Sequence, residues 1–216
     1  MPKRVDHDER RTQIIEALWR ITVRGGLSAA SFREVAAEAG VSVRLVQYYF
    51  GTKAELLHAA NRQVAERTTA RMMRRLTALG ADAEPRQIVQ EVVREFLPSD
   101  RQSREAMLLF FAFYTAQMTD PTLARAEART VPRGLAGLIA GQIRRAQASG
   151  DSPADLDPER EGALLTAAIP GLASGVLVKY LAASEANAIL DYALDRLFPR
   201  RVSAPRPRAR GGTRTR

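Results

Sequence analysis

The chain has 216 residues, a net charge of +9, 45% hydrophobic and 26% charged residues, and no cysteine. That length buries a full core in one large or two small domains. The missing cysteine excludes disulfides, thiolate nucleophiles and cysteine-based metal sites.

There is no run of about 18 apolar residues, so no membrane span is expected. The start, "MPKRVDHDERR", lacks the apolar core of a secretory signal. A cytoplasmic location is the expectation. Of the +9, +7 comes from the arginines between Pro199 and Arg216, which leaves +2 for residues 1–198. This Pro- and Gly-rich tail is expected to be disordered. It can add sequence-independent affinity for nucleic acid, or simply solubilise the terminus.

In chain order the pattern is helix after helix, with little period-two alternation and no hairpin dipeptide between β-branched runs. Helix starts are marked by Asp6 with Glu9, Ser31 with Glu34 and Thr52 with Glu55, each at capping-box spacing. Asp120-Pro121 and Asp157-Pro158 add proline to an N-cap acid, and Ser99 and Ser184 are weaker starts. Glycine or proline at Gly25-Gly26, Gly40, Gly80, Pro98 and Gly150 ends the runs. The pattern predicts nine helices: 7–24, 31–39, 43–50, 53–79, 85–97, 101–118, 121–148, 158–183 and 185–198.

The expected fold class is all-α. A three-helix helix-turn-helix domain occupies 1–52. A larger helical domain occupies 53–198, and 199–216 is the basic tail.

The first helix places Ile14, Ile15, Leu18, Trp19 and Thr22 on one stripe. The second buries Phe32, Val35, Ala36 and Ala39. Gly40-Val41-Ser42 then makes a three-residue turn, with Ser42 capping the third helix. Two short helices around such a turn are the helix-turn-helix arrangement, whose second helix can enter the major groove. Val46 and Phe50, with Val41, suit the inward side of the third helix. Val43, Arg44, Gln47 and Tyr48 share another face. Arginine can bind guanine bidentately and glutamine adenine, while tyrosine can reach phosphate or sugar. Lys53 sits in the first turn of the fourth helix, where an anion would satisfy both the lysine and the free amides.

"SFREVAAEAGVSVRLVQYYFGTKAEL", residues 31–56, resembles the DNA-binding signature of the tetracycline-repressor (TetR/AcrR) family of transcriptional regulators. The close match covers about 45 residues, and the helix succession extends it over almost the whole expected ordered chain. The resemblance implies base or backbone contacts for Arg33, Val43, Arg44, Gln47 and Tyr48, and phosphate contacts for Ser31, Ser42 and Lys53. Two positions depart from the family pattern: Leu45 stands where threonine is usual, and Gln47 where tyrosine is usual. The docking mode carries over; the operator sequence does not.

The resemblance assigns effector binding and dimerisation to the later helices. Met107, Phe110, Phe111, Tyr114 and Met118 form an apolar stripe, with Phe96 nearby. Such a stripe serves as plain core or lines a pocket for an apolar or aromatic effector. The run "ALLTAAIPGLASGVLVKYLAAS" is apolar on nearly all sides, and Pro170-Gly171 is expected to kink it. Leu165, Ile169, Leu172 and Val176 there, with Ile189, Ala193 and Leu197 of the last helix, are the expected two-fold interface of a homodimer.

The two histidines, His7 and His58, stand in no catalytic or metal motif, and no phosphate-binding glycine loop is present. Neither an enzyme nor a cofactor or metal is expected. The partners are duplex operator DNA, a small effector and a second copy. The expected role is a ligand-released repressor. The alternatives are an activator of the same family and a helical interaction module without sequence-specific DNA binding.

Overall fold

The computed structural model describes residues 7–120, Leu123 and 130–199. Among them are nine α-helices, one 3-10 turn and no strand: α1 His7–Gly25, the turn Leu27–Ala29, α2 Phe32–Ala39, α3 Val43–Phe50, α4 Lys53–Leu79, α5 Pro85–Arg94, α6 Arg101–Thr119, α7 Thr130–Ser149, α8 Pro158–Leu177 and α9 Ala183–Leu197.

The helix starts follow cap chemistry. Ser31, Ser42 and Thr52 side-chain oxygens accept from the backbone amides of Glu34, Leu45 and Glu55, each at 3.2 Å. Asp157 accepts from the amides of Glu159 and Arg160. Each bond satisfies a donor with no partner inside its own helix.

Several boundaries differ from the sequence expectation. α6 is capped by Asp100, which exchanges hydrogen bonds with Ser103, rather than by Ser99. α9 starts two residues early, because Glu185 reaches back to the amide of Ala182. α5 stops at Arg94 and α8 at Leu177. Beyond α8, Lys179 takes a left-handed φ of 65° that no helix continues. Pro170 lies inside α8 without ending it. Asp120 closes α6, and the proposed start at Pro121 lies outside the described residues, as do Asp6, residues 122 and 124–129 of the 121–148 helix, and 200–216 of the tail.

Two cores hold the chain. The first joins Ile14, Leu18, Val35, Val46 and Phe50 of α1–α3 to Leu56, Leu57 and Ala60 of α4. It also takes Leu109 and Phe113 of α6, so it runs well past residue 52. The second packs Val89, Val93 and Leu97 with Ile139, Ile143, Leu165, Ile169, Leu190 and Leu194. There α8 lies close on α7: a Cβ on Gly162 would stand 2.5 Å from the Ala136 carbonyl oxygen. Every side chain larger than hydrogen is excluded at that crossing.

α4 spans both cores. Arg67 donates to Glu16 at 2.7 Å and lies 4.5 Å over the Trp19 ring. One turn on, Arg71 pairs with Glu95 of the α5 end, and after another turn Arg75 lies 3.4 Å from the same carboxylate. Three arginines four residues apart share a helix face and tie α4 first to α1, then to α5.

Candidate nucleic-acid interface and effector region

The candidate recognition surface is built on the turn between α2 and α3. Gly40 adopts the left-handed conformation, φ 66° and ψ 34°. This lets the Val41 amide reach back to the Ala36 carbonyl at 2.9 Å, the bond that closes a helix C-terminus. Nothing stands within 4 Å of a Cβ built there, so backbone conformation, not space, selects glycine.

α3 divides as its sequence face predicts. Val46 is fully buried and Phe50 is 5% exposed, while Leu45 and Tyr49 are half-buried. Val43, Arg44, Gln47 and Tyr48 face outward, Tyr48 at 73% exposure. Arg44, Gln47 and Lys53 make no hydrogen bond or ion pair to another described side chain. Arg33 is exposed at the start of α2. Ser31 and Ser42 use their oxygens as cap acceptors, which leaves each hydroxyl hydrogen free to donate to a phosphate. Thr52, exposed beside Lys53, presents the same arrangement. The structure thus brings all eight expected contact residues to the α2–α3–α4 edge.

Contacts distant in sequence hold this edge rigid. Arg11 donates to the Tyr49 carbonyl at 2.8 Å and lies 4.6 Å over the Phe50 ring. The Tyr49 hydroxyl pairs with His7 Nδ1 at 3.0 Å. Gln13 Nε2 donates to the Ala39 carbonyl at 2.8 Å, securing the end of α2. Arg20 and Arg24 both grip Glu38, and these hydrogen bonds, Arg24's first, hold its carboxyl below the usual glutamate range. These positioning residues have no local sequence signal, because their partners lie 14 to 42 residues away.

The aromatic stripe of α6 is brought together only in part. Phe110 stacks on Tyr114 with ring centres 5.6 Å apart, and Phe111 meets Phe110 edge-on at 5.4 Å. Tyr114 and Met118 are exposed at 52% and 72%. Met107 is buried, and Phe96 packs against the second core.

The expected dimer residues also divide. Leu165, Ile169 and Leu197 are buried in this chain's own second core, and Leu172, Val176 and Ala193 pack against it. Leu165, Ile169 and Leu197 face inward, where α7, α5 and α9 cover them within this chain, while Leu172, Val176 and Ala193 stay partly exposed. Ile189 remains outward at 46% exposure, joined by Leu164 at 60% and Tyr192 at 69%.

Among the described residues no group of three or more His, Asp or Glu is placed to hold a metal. No described helix is long and apolar enough to cross a membrane. A helix-turn-helix with an exposed arginine, glutamine and tyrosine on its second helix has the form of a DNA-binding unit.

The relatives agree. Residues 14–60 match the family model described as bacterial regulatory proteins, tetR family. Residues 85–199 match the one described as BetI-type transcriptional repressor, C-terminal. The HTH-type transcriptional regulator PksA of Bacillus subtilis (strain 168) is 32% identical over 173 residues, covering 80% of this chain and 81% of that protein. The regulator BetI of Burkholderia mallei (strain NCTC 10229) is 32% identical over 174 residues, covering 70% and 88%. A solved TetR-family regulator from Rhodococcus sp. superposes with a TM-score of 0.74 at 26% identity, covering 88% of this chain and 99% of that one. The chain belongs to the TetR family of transcriptional regulators; it is a DNA-binding regulator and not an enzyme.

Proposed function

We propose that the chain acts in the cytoplasm as a homodimeric repressor that releases a pseudo-palindromic operator when a small apolar or aromatic effector binds. The observation that carries the reading is the outward face of α3, where Arg44, Gln47 and Tyr48 stand exposed on a helix clamped from behind by Arg11. Arg44 and Gln47 address base edges. Ser31, Ser42 and Lys53 hold the phosphates that set the register, and Arg33 and Val43 complete the contact. Gln47, in place of a tyrosine, makes this chain's base preference its own.

A two-fold dimer through the outward sides of α8 and α9 would set two α3 helices about 34–36 Å apart, one helical turn of DNA. The similarity of residues 85–199 to BetI-type repressors supports repression over activation. The stacked Phe110–Tyr114 pair, with Phe111 and Met118, supports an aromatic-walled effector site. Effector binding shifts α4 through its differential affinity for two spacings of the dimer.

The test is selection of duplexes from a random pool, then anisotropy titration at fixed salt with wild type and Arg44→Ala/Gln47→Ala. The double variant is expected to lose specific binding, by about 2–6 kcal/mol if each side chain reads one base, and to keep weak non-specific binding. Unchanged specificity would remove α3 as the reader.

A further inference from the structure

Between the helix-turn-helix unit and the end of α6 lies an open cleft of about 350 Å³. Small-molecule sites run from about 300 to 1,000 Å³. Leu27 of the 3-10 turn, Ala54 and Leu57 of α4, Ala116 of α6 and Leu123 give it an apolar wall, and Ser28 and Thr119 also line it. Lys53 stands on its α4 rim, with Asp120 on the α6 side. A narrower hole of about 10 Å³ adjoins it across Leu57 and Leu123, room for about one water. His58 lines that hole with Gln117, and its Nε2 is buried without a hydrogen-bond partner. A buried polar atom left unpaired is costly.

We infer that this cleft is a second small-molecule site, distinct from the α6 aromatic group, and that it takes an amphipathic carboxylate. The apolar body lies on Leu27, Leu57 and Ala116. The carboxylate meets the Lys53 ammonium and the backbone amides of Lys53 and Ala54, which have no acceptor within the helix, the Glu55 amide being taken by Thr52. Such a ligand touches α4 at its first turn, the 3-10 turn behind α1 and the end of α6, so it bridges the reading unit and the larger domain. Its link to DNA rests on the proposed phosphate contact of Lys53: one ammonium group then serves either ligand or operator, and the two compete.

The test uses octanoate and octanol as probes, with calorimetric titration of the full chain. Octanoate is expected to bind more tightly than octanol, and Lys53→Gln to cost it roughly tenfold, one charge-assisted hydrogen bond. Octanol should be indifferent to that change. Ala116→Phe fills the cleft and abolishes both. Thr119→Trp, at an exposed lining position, gives the same result if Ala116→Phe does not fold. No binding of octanoate, or binding unchanged in both filling variants, overturns the site. Equal loss of octanoate and octanol in Lys53→Gln overturns the carboxylate assignment. With operator added, octanoate and DNA should weaken each other by the same factor. If octanoate needs Lys53 and the open cleft yet ignores DNA, the site stands and the phosphate role of Lys53 fails.

Discussion

Glu95 offers the sharpest test of how the two halves of the chain are joined. Its side chain is 1% exposed, Arg71 is 11% exposed, and Arg71 Nε is bonded to the Glu95 carboxylate. Glu95→Ala strands the Arg71 guanidinium in the core. Breaking a buried pair by removing one partner costs about 3–5 kcal/mol. Two features pull toward the lower end. Asp100 lies close enough to Arg71 to feel its charge, and Arg75, at 38% exposure, can turn to water. The expected loss is therefore about 3 kcal/mol. It is read as a lower urea midpoint at unchanged slope, by circular dichroism at fixed protein concentration. The double variant Arg71→Met/Glu95→Leu should regain most of it, since a well-packed apolar pair is often neutral. A loss below about 1 kcal/mol, the level of an exposed pair, would show that water reaches this joint and that α4 is held to α5 by apolar packing alone.

Three further outcomes are expected. Gly40→Ala should cost about 1–2 kcal/mol in denaturant midpoint, because φ 66° is strained for any Cβ, and should weaken operator binding further by re-aiming α3. Asp100→Ala should cost about 1 kcal/mol at neutral pH through loss of the α6 cap. The Ser103 amide, opposed by burial and aided by the Ser103 hydroxyl and the Arg71 charge, holds the Asp100 carboxyl below the usual aspartate value. Its stabilisation is thus present above about pH 4 and lost as pH falls through the lower folded value. The gap between variant and wild type should close there in acid melts. Leu164→Glu with Ile189→Glu, both at exposed positions, should leave a folded monomer in sedimentation. Leu165→Glu, in the core, should instead unfold the chain.

The sequence by itself determined the local structure of the reading unit. Ser31, Ser42 and Thr52 announce helix starts through oxygens that accept amides three residues on, and Gly40 announces a turn through its own backbone freedom. The outward set on α3 followed from helical period alone. Tertiary structure decided everything whose partner is remote. The clamps of Arg11, Gln13 and Glu38 join residues far apart in the chain, so no short window contains both halves. The same cause explains the α8 reading. Leu165 and Leu164 are adjacent and equally apolar, and only packing on α7, closed by Gly162, turns one into the core and leaves the other outside. Likewise the first core takes Leu109 and Phe113 from α6, because helix direction in space, not position in the chain, brought them under α1.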